Sequence, residues 1–65
     1  MNPIVFRIIK ISDEHGGLYN VVTNDTELGI LNYPRIPAGT VSRLKDVLKE
    51  WFATDERSVI FEEEE

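Results

Sequence analysis

The chain reads as an α+β fold: a small antiparallel sheet in the order β-β-β-α-β, with one amphipathic helix packed on one face. Three observations predict it. Val41, Leu44, Val47, Leu48, Trp51 and Phe52 recur at three- and four-residue steps and line one stripe of a helix, with Ser42, Arg43, Lys45, Asp46, Lys49 and Glu50 opposite. IVFRIIKI at 4–11 and LYNVVT at 18–23 are rich in β-branched and aromatic residues, and they flank the polar, glycine-terminated SDEHGG. A helix of this length is marginal alone in water, so its apolar stripe must lie on a sheet built from the remaining chain.

The first strand, 4–11, is apolar on both faces: Ile4, Phe6 and Ile8 share one with Lys10, and Val5, Ile9 and Ile11 share the other with Arg7. Such a strand is usually central. One helix covers one face, which leaves the other to a twist of the sheet, to loop residues or to a second molecule. Gly16 and Gly17 end the loop that turns this strand into a hairpin with 18–23, because glycine supplies the positive φ that closes it. Asn24 and Asp25 make the next turn, since both residue types bond their own backbone. A third strand covers 28–32, where Gly29 signals a bulge or a close backbone approach.

PRIPAG at 34–39 then reads as a stiff crossing loop, with Ile36 tucked under the helix. Thr40 is the expected N-cap of a helix running over 41–53, and Arg43 stands where a reciprocal box would need Glu or Gln. After a polar turn at 54–57, SVIFE at 58–62 has strand composition. This last strand can lie parallel to the first or add to an edge, and pattern alone leaves both open. The domain is therefore 1–62, with 63–65 a frayed acidic tail.

Sixty-five residues make one small domain with a thin core, and cores of this size rarely supply more than about 3–5 kcal/mol. There is no cysteine and one histidine, His15, so disulfides and thiolate metal sites are excluded and no cofactor or metal is expected. Oligomerisation is the extra support that remains, and a homodimer is one expectation. No apolar run approaches the roughly 20 residues of a membrane span, and the N-terminus lacks the basic start and small-residue cleavage site of a secretory signal. The expectation is a soluble, cytoplasmic protein.

The net charge of −5 is localised. Residues 1–54 hold six acids and six bases, whereas Asp55, Glu56, Glu62, Glu63, Glu64 and Glu65 oppose only Arg57. An acidic end repels phosphate, so direct nucleic-acid binding is disfavoured and a protein partner with a basic surface is the better fit. The acids either solvate a tail or fill a basic groove on that partner. Trp51 and Phe52 are neighbours about 100° apart on the helix, so one of them sits at the core edge, where it covers the sheet end or anchors a partner. Tyr33 is a further candidate anchor.

No constellation supports catalysis. Ser12, Asp13, Glu14 and His15 carry the residue types of a hydrolase triad, but four neighbours in one loop cannot set base against nucleophile. They read as a solvated hairpin loop. Gly16-Gly17 leads into a strand, not a helix, and so is no phosphate loop. Arg35, Arg43, Lys45 and Lys49 cluster near the helix, yet Asp46 and Glu50 are interleaved with them, as on an ordinary solvated face.

In size, lack of cysteine, element order and the acidic end DERSVIFEEEE, the chain resembles the small inhibitors that phages and mobile elements encode against host defence, anti-CRISPR proteins among them. The resemblance implies a non-enzymatic protein, acting in the host cytoplasm, that binds and blocks a nucleic-acid-handling complex. A small structural subunit or antitoxin-like homodimer is the alternative, followed by a nucleic-acid-binding module.

Overall fold

The computed structural model describes residues 2–64. Strands β1 (Ile4–Ser12), β2 (Leu18–Asp25) and β3 (Gly29–Pro37) precede helix α1 (Ala38–Phe52) and strand β4 (Val59–Glu64). The sheet order is β3-β2-β1-β4. β1 runs antiparallel to β2 with Ile8 opposite Val21, and β2 antiparallel to β3 with Val21 opposite Tyr33. β4 joins β1 in parallel, with Ile4 opposite Val59 and Phe6 opposite Phe61. The two-faced apolar β1 is thus internal, and the last strand settles at an edge and makes the sheet mixed.

The hairpin between β1 and β2 contains a single 3₁₀ turn at Glu14–Gly16. His15, Gly16 and Gly17 take φ of 52°, 81° and 122° in succession. At Gly17 a Cβ would lie 3.0 Å from the Tyr19 ring, so the position excludes a side chain on both conformation and space.

Helix α1 begins at Ala38, not at Val41, and Thr40 is inside its first turn instead of capping it. Pro37 occupies the cap position with φ −62° and ψ 148° and makes no side-chain cap hydrogen bond. The reason is tertiary: the Ala38 N–H, an orphan of the helix start, donates to the Gly17 carbonyl at 3.1 Å. The predicted crossing loop is likewise mostly strand, since β3 extends to Pro37, with Ile36 opposite Tyr19. Proline is accommodated there because β3 is an edge: Arg35 takes φ 57°, the register slips between Tyr19 and Val21, and the Arg35 N–H donates to the Asn20 Oδ1 at 3.0 Å.

The core lies between α1 and one sheet face. Ile4, Phe6, Ile8, Val21, Val41, Leu48 and Val59 are buried, with Leu44, Phe52 and Phe61 packed against them. Phe6 is central, its ring 6.0 Å from that of Phe52 and 5.8 Å from that of Phe61. Thr23 is the buried polar residue, and its Oγ1 donates to the Val5 carbonyl at 2.6 Å beyond the end of the β1–β2 ladder. The opposite face has no helix over it. Register places Val5, Ile9, Val22, Ile30 and Ile60 there, interrupted by Arg7, Asn20, Asn32, Glu62 and Glu64. Val5, Ile9 and Val22 are half-buried by their neighbours, while Ile30 and Ile60 stand exposed.

β4 continues to Glu64, opposite Ile9, so Glu63 and Glu64 belong to the sheet and not to a frayed tail. Side chains hold them in place. The Arg7 guanidinium grips Glu64 with two hydrogen bonds of 2.9 and 2.8 Å, and Lys45 on α1 reaches Glu63 at 3.1 Å. Glu65 lies outside the described residues.

Candidate protein-binding edge

The acidic residues fall into two groups at opposite ends of β4. Asp55 and Glu56 are exposed in the turn before it, which Thr54 shapes by accepting the N–H groups of Glu56 (3.3 Å) and Arg57 (3.0 Å) on its Oγ1. Glu62, Glu63 and Glu64 are exposed at its far end, about 10–17 Å from the strand's start at the usual rise per residue. Glu62 makes no ion pair among the described residues. The bidentate hydrogen bond from Arg7 holds the Glu64 carboxyl below the ordinary glutamate range and raises the pKa of Arg7.

The three aromatic candidates separate. Trp51 is 65% exposed and meets Phe52 edge-on, with ring centres 6.4 Å apart, beside the turn that carries Asp55 and Glu56. Phe52 is the residue that turns into the core. Tyr33 is half-buried against the same core on β3, the opposite edge of the sheet. Of the three, Trp51 is the exposed ring. Lys45 and Lys49 are drawn to the β4 edge, each with its Nζ 5.8 Å from the centre of the Phe61 ring, which β4 presents on the helix side.

Sequence reasoning missed the role of Arg57. Counted as the sole base among the acids, it turns inward, with its side chain 10% exposed against an Asp25 side chain 9% exposed. Its Nη2 lies 2.6 Å from the Asp25 Oδ1 and its Nη1 3.0 Å from the Oδ2, while its Nε donates to the Asn2 carbonyl at 2.8 Å. Asp25 also accepts the N–H groups of Glu27 and Leu28 at 2.9 and 3.1 Å. The Arg57 hydrogen bonds hold the Asp25 carboxyl far below the usual carboxylate range against the opposing effect of desolvation, and they raise the pKa of Arg57. The pair ties the β2–β3 turn to the chain entering β1 and to the turn before β4. Because Arg57 is matched to Asp25, its charge does little for Asp55 and Glu56. Its position as the lone base in an acidic stretch was the one sequence signal.

Among the described residues no hydrogen bond or ion pair joins Ser12, Asp13 and His15. Ser12 Oγ accepts the Glu14 N–H at 3.1 Å and shapes the turn, and Asp13 pairs with Lys10. Among the described residues no group of three or more His, Cys, Asp or Glu is placed to hold a metal ion, and no helix is long and apolar enough to cross a membrane. No family model, curated protein or solved structure matches the chain.

Proposed function

We propose that this chain is a non-enzymatic binding protein, of the kind phages and mobile elements use as inhibitors, that blocks a nucleic-acid-handling complex by occupying a basic surface in the host cytoplasm. The observation that carries the reading is the joining of Trp51, exposed at the end of α1, to Asp55 and Glu56 at the start of an edge strand that ends in Glu62, Glu63 and Glu64. An exposed indole on the same end of the chain as Asp55, Glu56 and Glu62, which make no ion pair among the described residues, supplies an anchor and a steering charge together. Competition with nucleic acid follows, since a groove that accepts this row of carboxylates is one that would accept phosphates. The test is recovery of a partner from candidate host extract, followed by displacement of its labelled DNA or RNA. Displacement that weakens with Trp51→Ala supports the reading, and a nucleic acid left bound at saturating inhibitor removes it.

The uncovered sheet face, with Ile30 77% exposed and Ile60 42% exposed, favours a second reading as an antitoxin-like or structural homodimer. Sedimentation at increasing concentration separates the two, because a monomer throughout discards the second.

A further inference from the structure

The two edges of the sheet are built differently. β3 is blunted by Pro34, by the left-handed Arg35 and by the register slip opposite Tyr19 and Val21. β4 runs six residues in unbroken register with β1 and contains neither proline nor bulge. The Ile4 N–H donates to the Ser58 carbonyl at 2.8 Å. In a parallel ladder that phase turns the N–H and C=O of Ile60 and Glu62 toward β1 and those of Phe61 and Glu63 toward the free side. Among the described residues, the outer side of β4 is therefore a regular row of unpaired backbone donors and acceptors.

The side chains along that row say what fits it. On the open side stand Ile60, Glu62 and Glu64, and Glu62 makes no ion pair among the described residues. On the helix side stands the half-buried ring of Phe61, with the Nζ atoms of Lys45 and Lys49 each 5.8 Å from its centre. A second β4 laid parallel and in register would set three glutamates against three, and one laid antiparallel about Phe61 would set Glu62 against Ile60 and Glu63 against Val59, so neither gives these carboxylates a basic partner. We infer that β4 captures an extended basic segment of the partner protein by strand addition, with a Lys or Arg over Glu62 and apolar residues against Phe61. The inference rests on the binding reading above and names the partner's chemistry.

The probe is a short capped peptide alternating lysine and valine. Three controls accompany it: a version with the same residues in blocks, one alternating glutamate and valine, and one N-methylated at every second amide. The alternating peptide should shift and protect the amides of Phe61 and Glu63, and block order, glutamate or N-methylation should each weaken binding about tenfold or more. Glu63→Pro removes a donor that faces outward, so it should leave the β1–β4 ladder and the melt largely intact while abolishing binding; Glu63→Gln should retain it. Equal binding of the alternating and N-methylated peptides overturns strand addition even if Glu63→Pro fails to fold. So does protection of Phe61 and Glu63 that rises with protein concentration in the absence of peptide, since a second copy then holds the edge. The two readouts separate the claims: a chain that fails to bind the peptide yet displaces nucleic acid in a Trp51-dependent way loses strand addition alone, and a chain that binds the peptide but displaces no nucleic acid loses the inhibitor reading alone.

Discussion

The guanidinium of Arg57 lies 2.6 Å from the carboxylate of Asp25 across 32 residues of sequence, and both side chains are almost withdrawn from solvent. The pair closes one end of the sheet, where the β2–β3 turn, the chain entering β1 and the turn before β4 meet. Asp25 binds a proton far less readily when folded than when unfolded, where its pKa is about 3.9. Its contribution is therefore present above about pH 4 and lost as the pH falls below that value toward the depressed folded pKa. Glu64, also lowered by Arg7, and Asp13, lowered by Lys10, act in the same direction. Thermal melts from pH 7 to pH 2.5 should show the wild type losing more stability on acidification than Asp25→Asn, which starts lower at neutral pH. Parallel pH curves would remove the pair from the account of stability.

Leu48 and Trp51 occupy successive turns of one helix and should answer truncation differently. Leu48 is fully buried, so Leu48→Ala should cost about 2–5 kcal/mol, enough to unfold much of so small a domain. Trp51 is 65% exposed and, among the described residues, its ring contact is the edge-on one with Phe52, so Trp51→Ala should cost no more than about 1.5 kcal/mol. Urea denaturation of the two variants checks the contrast, and equal losses would place the indole in the core.

Positive φ at Gly17 and at Arg35 predicts opposite responses. Gly17→Ala puts a Cβ 3.0 Å from the Tyr19 ring at φ 122°, a conformation that favours glycine, and should cost roughly 1–3 kcal/mol. Arg35→Gly relieves a left-handed residue worth about 1–2 kcal/mol of strain and adds about 0.5–1 kcal/mol of chain entropy. It should leave the melting temperature unchanged or slightly raised, and a fall of several degrees would show that the Arg35 side chain holds β3.

Element order, the helix stripe and the internal place of β1 were legible because each follows from local composition and period. The boundaries that shifted were decided by partners distant in sequence. The Gly17 carbonyl, not Thr40, receives the first helical N–H, and Asn20 holds the bulge that lets β3 run through Pro34 and Arg35. Arg7 and Lys45 draw Glu63 and Glu64 into β4, where a run of like charge reads as a tail. At the candidate site, Trp51 and the acids were visible as residue types. The choice of Trp51 over Phe52 and Tyr33 depended on which ring reached Phe6 and on which strand took the edge.

The most direct test of the open acidic edge needs no partner: native-state hydrogen exchange of the β4 amides in dilute protein. With β4 paired only to β1, Ile60 and Glu62 should exchange slowly while Phe61 and Glu63 exchange near the rate of an unstructured chain. Equal protection of all four would mean that another strand already covers the edge. Equal lack of protection would mean that the acidic end is a frayed tail, and either result would contradict an open β4 edge.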